Sequence, residues 1–192
     1  DKSISHRSLL LAIASVGTTK ISNILQSEDI LCTLKAIKLL GANVSFIDEL
    51  IIIKGLGVGV LKNPNKAINM GNSGTGCRLL LGLITGSSAT VTLTGDTSLS
   101  MRPMDRVIKP LRMMGAEITS NNMTLPISIK GAALNGYVNA IQYKSEIASA
   151  QVKSAILLAG LNARGITSVT EPYKSRDSTE IMLKNFGASI FT

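Results

Sequence analysis

A chain of 192 residues, 45% of them hydrophobic, is long enough to bury a full core as one domain. Only 3% are aromatic and there is no Trp, so that core is expected to be built from Leu, Ile, Val, Ala and Met. A net charge of +8 implies acidic partners; the cations are dispersed and not interleaved with aromatics, which argues against a nucleic-acid surface and for small phosphorylated or carboxylated molecules.

The chain opens on Asp1-Lys2-Ser3-Ile4-Ser5-His6-Arg7, which runs directly into an apolar helical stretch through Ala14. Lys2 offers a compact charge, Arg7 a planar fork for two oxygens, and the serines adaptable donors. The plainer alternative is that Ser3 or Ser5 merely caps the helix and the cations face water. A β-rich strand follows from Lys20 to Leu25, then a helix opened by Asp29 with Ile30, Leu34 and Ile37 on one face. Gly41 sits where a left-handed helix cap belongs. Asn43 to Ile47 and Leu50 to Lys54 then read as a hairpin around Asp48-Glu49.

Gly71-Asn72-Ser73-Gly74-Thr75-Gly76-Cys77-Arg78 is followed by Leu79-Leu80-Leu81, a glycine-rich turn leading into a helix starting near Gly76. Unpaired N–H groups and the helix dipole make such a start a cradle for a phosphate or carboxylate. Arg78 in the first turn is poor for the helix alone and sensible if an anion sits there. A strand from Thr90 to Thr94 leads to Met101-Arg102-Pro103-Met104, with Pro near the first helical position, and a helix through Asp105, Ile108 and Leu111. Asp105, Arg106 and Lys109 read as its ordinary charged face. Gly115 repeats the cap, and Glu117 to Ser120 with Leu125 to Lys130 repeats the hairpin, now around Asn121-Asn122.

Ser145 to Ser154 again places hydroxyls and small residues before an apolar helix, Ala155 to Leu161. A strand from Ile166 to Val169, a helix opened by Asp177 and Glu180, and a third cap at Gly187 complete the order. Three helix starts of this kind suggest one anionic ligand held from several sides. Three near-equally spaced caps indicate an internal repeat, read as a compact pseudo-threefold lobe rather than an array. The third copy stops after Thr192 without a hairpin partner, and the first residue is Asp; the expectation is a piece of a longer protein. Cys32 and Cys77 lack metal-ligand spacing, and His6 is a lone histidine. The cysteines are expected to be buried small apolar residues and His6 to pack or cap, with no metal and no cofactor. With no membrane-spanning stretch and no signal peptide, the expected location is the cytoplasm.

Asp-Lys-Ser-Ile-Ser-His-Arg, Gly-Asn-Ser-Gly-Thr-Gly-Cys-Arg, Leu-Ser-Met-Arg-Pro-Met, Ser-Ala-Gln-Val-Lys-Ser-Ala and Ser-Arg-Asp-Ser-Thr-Glu, in that order, resemble the 5-enolpyruvylshikimate-3-phosphate synthase family over residues 1 to about 188. The Ser-Ala-Gln form and the Arg176 motif resemble the class often called glyphosate-tolerant. The resemblance implies transfer of the enolpyruvyl group of phosphoenolpyruvate to shikimate 3-phosphate with release of phosphate, in the route to chorismate and the aromatic amino acids. It implies an inside-out α/β fold of two lobes, each of three βαβαββ units, with helices inside and mixed sheets outside. Residues 1–192 would be one substrate-binding lobe with its third unit truncated. The second lobe of the same polypeptide would carry most of the proton-transferring groups, so this lobe would bind without turning over. The full-length protein would be a monomer.

Residue by residue, the resemblance implies that Lys2 lies between both substrates as the catalytic cation. Ser3 and Arg7 would hold the carboxylate and hydroxyl region of shikimate 3-phosphate. Ser149 and the backbone at Ala150 would bind its phosphate, Arg176 would complete that site, and Gln151 would touch the ring and phosphoenolpyruvate. Asn72 and Gly74 would line the phosphoenolpyruvate pocket and Arg102 would pair with its anionic end, with Arg78 as a nearby cation. Two alternatives remain at this point. A UDP-N-acetylglucosamine enolpyruvyl transferase shares the architecture but differs in its opening motif and loop-cysteine context. A non-catalytic anion-binding module is favoured only by the basic charge.

Overall fold

The computed structural model describes all 192 residues. Its first part runs α1 (Lys2–Ala14), β1 (Thr18–Ile21), α2 (Glu28–Leu39), β2 (Asn43–Ile47) and β3 (Leu50–Lys54). The second runs β4 (Ile68–Asn69), α3 (Gly74–Thr85), β5 (Thr90–Thr94), the one-turn α4 (Thr97–Ser100), α5 (Asp105–Met113), β6 (Glu117–Ser120) and β7 (Ile127–Lys130). A short 3-10 turn leads to β8 (Val138–Asn139), β9 (Gln142–Lys144), α6 (Ala150–Gly160), β10 (Ala163–Arg164), β11 (Ser168–Thr170) and α7 (Ser178–Asn185). Apart from α4, the second part is one βαβαββ unit.

Three helices form the interior. Every residue of α1 from Leu9 to Ala14, of α3 from Leu79 to Thr85 and of α6 from Val152 to Ile156 is buried. A helix that is apolar all round, as these stretches of α1 and α3 nearly are, must be covered all round; α6 also buries Lys153 and Ser154, which therefore need polar partners. The α3 and α6 backbones pass so closely that a Cβ on Gly82 would lie 2.2 Å from the Ala155 carbonyl oxygen, so only glycine fits this crossing. The amphipathic helices α2, α5 and α7 flank this centre, burying Ile37, Leu111 and Leu183 and exposing Lys35, Lys109 and Ile181.

The sheets lie outside. β1, β3 and β2 form an antiparallel sheet with β3 central, and β2–β3 pairs from Asn43 opposite Lys54 to Ile47 opposite Leu50. β4, β5, β7 and β6 form a mixed sheet, β4 parallel to β5 and the rest antiparallel. In the third part β8 pairs with β10 and β9 with β11, both parallel and joined across α6; no strand follows α7. Helices inside and sheets outside are thus as expected. Gly41, Gly115 and Gly187 all adopt left-handed φ, at 103°, 102° and 88°, closing α2, α5 and α7 in the same way.

Several expectations need correction. The strand expected to reach Leu25 ends at Ile21, because Asn23 turns to a φ of 51° and breaks the ladder. The strand expected at Ile166–Val169 is two short pieces around Gly165, whose φ is 112°, with Ile166 exposed. The strand expected from Leu125 begins at Ile127, since Pro126 has no N–H to donate. α3 starts two residues before the expected Gly76, at Gly74, which puts Arg78 in the second turn, while α6 starts at Ala150. Pro103 precedes the N-cap Met104 and is not at the first helical position. Neither Ser3 nor Ser5 caps α1: Asp1 does, its carboxylate accepting from Ile4 N–H at 3.0 Å. Ser5 instead accepts from Leu25 N–H at 3.1 Å and ties down the loop after β1. Cys77 is fully buried as expected, but Cys32 is only half-buried. No helix is long and apolar enough to cross a membrane.

Candidate functional site

Four helix N-termini converge on one pocket of about 270 Å³. Ser3 comes from α1, Thr75 from α3, Ser149, Ala150 and Gln151 from α6, and Ser178 from α7; Arg7, Ser175 and Arg176 complete the lining. None of these residues is acidic. Two guanidiniums, five hydroxyls and the positive ends of several helices face the same space. Such a surface attracts an anion and holds no carboxylate to balance a cation.

Arg7 is the buried anchor. Its Nε donates to Thr179 Oγ1 at 2.6 Å, Nη2 to Ser154 Oγ at 2.9 Å and Nη1 to the Ser3 carbonyl at 2.9 Å. Ser154 and Thr179 hydroxyls lie 2.6 Å apart, so α1, α6 and α7 are locked through this one side chain. Three of the five guanidinium N–H groups are thereby used, and the others are available to a ligand. Burial lowers the Arg7 pKa, and the neighbouring charge of Arg176 lowers it further while Glu180 opposes both. An anion between the two guanidiniums would relieve their repulsion.

At the N-terminus of α6, Ser149 Oγ accepts from Val152 N–H at 3.4 Å. The N–H groups of Ala150 and Gln151 find no acceptor in the chain. Gln151 Nε2 donates to Thr75 Oγ1 at 2.9 Å, joining this pocket to the start of α3.

There a second cluster stands on the turn around Gly71, whose φ is 55°. Asn72 is its hub: its Nδ2 donates to Asp96 Oδ2 at 2.9 Å, and its Oδ1 accepts a short hydrogen bond from Arg102 Nη2. Arg102 also reaches Ser98 Oγ at 3.3 Å. Gly74 lies beneath: a Cβ there would meet Arg102 Nη1 and Arg78 Nη1, each at 3.0 Å. Arg78 is committed to backbone, donating to the Pro103 carbonyl at 3.0 Å and the Gly74 carbonyl at 3.3 Å, so it fixes the turn that carries Arg102. Lys2, at the first position of α1, is ion-paired with Asp29 of α2 and does not line the pocket.

Of the residues singled out from sequence, Ser3, Arg7, Ser149, Ala150, Gln151 and Arg176 come together in one pocket, and Asn72, Gly74 and Arg102 in the adjoining cluster. Thr75, Ser175 and Ser178 were missed, although each stands inside or beside a motif already in view. Asp96 and Ser98 were missed because α4 has too few residues to show a period.

His6 packs, as expected, between α2 and the start of α3. It is fully buried, with Nδ1 2.8 Å from Thr33 Oγ1 and Nε2 3.4 Å from Ser73 Oγ. Because Thr33 donates onward to the Asp29 carbonyl, the network assigns the imidazole proton to Nδ1. Burial lowers its pKa from 6.5 to about 4, with Lys2 and Arg7 adding to this and Asp29 opposing. The unfolded chain therefore takes up the proton first as pH falls. Stability is full above pH 6.5 and is lost between 6.5 and about 4, by roughly 1.4 kcal/mol per pH unit or about 3 kcal/mol in all. Denaturant midpoints across this window should fall in the wild type and flatten in His6→Asn; parallel profiles would contradict it.

The whole of the chain, residues 1–192, matches the family model described as EPSP synthase (3-phosphoshikimate 1-carboxyvinyltransferase). The chain belongs to the EPSP synthase family. It is 47% identical over 195 residues to the 3-phosphoshikimate 1-carboxyvinyltransferase of Bradyrhizobium sp. strain ORS 278, covering 100% of this chain and 43% of that protein. It is 50% identical over 193 residues to the Thermodesulfovibrio yellowstonii protein of the same name, covering 99% and 44%. Among solved structures, an EPSP synthase from Acinetobacter baumannii superposes with a TM-score of 0.92 at 47% identity, covering 100% of this chain and 43% of that one. The chain thus spans well under half the length of these EPSP synthases.

Proposed function

We propose that residues 1–192 are one substrate-binding lobe of an enzyme that transfers the enolpyruvyl group of phosphoenolpyruvate to shikimate 3-phosphate, releasing phosphate. The observation that carries this reading is the acid-free pocket in which Arg7, Arg176 and the bare α6 N-terminus meet. Ser3 and Arg7 hold the carboxylate and hydroxyl side of shikimate 3-phosphate. Ser149, the N–H groups from Ala150 and Arg176 hold its phosphate. Arg102, steadied by Asn72, takes the anionic end of phosphoenolpyruvate beside Gly74, and Gln151 spans the two. Lys2, which pairs with Asp29 outside this pocket, would have to leave that pair to supply positive charge between two anions whose repulsion must be offset.

General acid–base groups must lie within hydrogen-bond reach of the reacting carbon. The second lobe of the same polypeptide supplies most of these in this reading, with a monomeric, cytoplasmic enzyme of aromatic amino-acid biosynthesis as the whole. The relatives carry the name 3-phosphoshikimate 1-carboxyvinyltransferase, which supports the reaction. Calorimetric titration of the chain with shikimate 3-phosphate, UDP-N-acetylglucosamine and single-stranded DNA at two salt concentrations tests it. Saturable binding of shikimate 3-phosphate alone is expected. Preference for the sugar nucleotide, or for DNA with a steep salt dependence, would overturn the reading.

A further inference from the structure

Behind the pocket lies a layer of buried charge that ligand binding leaves unused. Lys153 Nζ sits 3.0 Å from Glu171 Oε2 and 2.7 Å from Glu180 Oε1, and each of the three side chains is about nine-tenths buried. Glu180 also faces the charge of the buried Arg7, so two carboxylates and two cations share a dry place. Apolar residues of similar volume often serve stability as well or better. The arrangement therefore calls for a geometric reason.

The two oxygens of Glu171 are spent on different elements. Oε1 accepts from the backbone N–H of Ser149 at 2.8 Å, at the N-cap of α6. Oε2 accepts from Ser175 Oγ at 2.7 Å, immediately before Arg176, and from Lys153. Taking up the Ser149 N–H leaves those of Ala150 and Gln151 as the groups that α6 presents to a ligand. Lys153 itself projects from the first turn of α6. One carboxylate thus ties the helix start and the arginine-bearing turn, the two halves of the phosphate-binding end, to each other. Burial works to raise the Glu171 pKa, and the hydrogen bonds from Ser175, Lys153 and Ser149 outweigh it and hold it below the usual value, so the acceptor-only form persists.

We propose that Glu171 is a positioning residue for the phosphate end of the pocket, setting the separation between the α6 N-terminus and the Ser175–Arg176 turn, with Lys153 as its anchor. The inference rests on reading this pocket as the shikimate 3-phosphate site. Glu171→Gln keeps the size and the acceptor for Ser149, but an amide nitrogen cannot accept from Ser175 or Lys153. Ser175→Ala cuts the link to the turn and leaves the buried charges in place.

The test is titration of the wild-type chain and both variants with shikimate 3-phosphate and with shikimate, which lacks the phosphate, while the backbone amide shifts of Ser175 and Arg176 are followed. Glu171→Gln is expected to weaken shikimate 3-phosphate by about tenfold or more and Ser175→Ala by several-fold. Shikimate affinity should change by less than about twofold in both, and the Ser175 and Arg176 shifts should move before any ligand is added. Equal weakening of both ligands would mean a merely structural role and overturn the proposal, as would unchanged shikimate 3-phosphate affinity. If Glu171→Gln does not fold, Ser175→Ala decides by the same criteria. If the wild type binds no shikimate 3-phosphate, the reading of the site fails instead; unmoved ligand-free shifts at Ser175 and Arg176 would then separately overturn the positioning role.

Discussion

Arg102→Ala is expected to raise the KM for phosphoenolpyruvate in the complete enzyme by about ten- to a hundredfold, with the KM for shikimate 3-phosphate changing by less than about threefold. Arg102 stands on the turn between α4 and α5, held by Asn72 and Ser98 and close above Gly74, and it does not line the pocket of Arg7 and Arg176. A charge-assisted hydrogen bond is worth roughly 1.5–3 kcal/mol, which sets the range. Arg102→Lys should recover little of the loss, because an ammonium cannot take the Asn72 carboxamide and a ligand oxygen in one plane. Steady-state kinetics with each substrate varied in turn gives both constants. Equal losses for both substrates would mean that Arg102 acts only through the general field.

Arg7→Ala should show the opposite preference together with a loss of stability. Removing the guanidinium deprives Ser3, Ser154 and Thr179 of their shared partner inside a packed junction of three helices. Unsatisfied buried groups cost about 1–3 kcal/mol each, and Ser154 and Thr179 can still bond to each other, so a net cost of about 2–3 kcal/mol is expected. For a domain of this size that lowers the melting temperature by roughly 5–10 °C. Shikimate 3-phosphate should weaken by about a hundredfold and phosphoenolpyruvate far less. Arg7→Lys restores the charge and not the three-way geometry, so its melting temperature should stay nearer to Arg7→Ala than to wild type. A lysine variant as stable and as tight as wild type would reduce Arg7 to a point charge.

What could be read along the chain was whatever the chain states locally. The β2–β3 hairpin lies where the alternation and the Asp48-Glu49 turn put it, and the three glycine caps have the φ their positions demanded. The anion-facing helix starts near Ser3, Gly76 and Ala150 are legible because glycines or hydroxyls stand ahead of apolar runs. Strands of two or three residues, such as β4 and β8, are too short to carry a period and are held by pairing with distant partners. Ser5 illustrates a different limit. A serine near a helix start reads as a cap, yet Asp1 takes that role and frees Ser5 for Leu25. The contacts that make the pocket rigid join residues remote in sequence: Arg7 to Thr179, Gln151 to Thr75, and Lys153 to Glu171 and Glu180. Glu171 stands beside Pro172 in a loop, and nothing local announces a carboxylate with its two oxygens on two elements.

The central claim is that this lobe presents two neighbouring, separable anion sites, one around Arg7, Ser149 and Arg176 and one around Asn72, Gly74 and Arg102. The most direct measurement is a two-step titration of the isotope-labelled chain followed by amide and guanidinium chemical shifts. Shikimate 3-phosphate added first should move Ser149, Ala150 and the Arg7 and Arg176 side chains and leave Asn72 and Gly74 nearly still. Phosphoenolpyruvate added second should move Asn72, Gly74 and the Arg102 side chain, with Gln151 responding to both. The same set of signals moving for either ligand, or neither ligand moving any of them, would contradict the account.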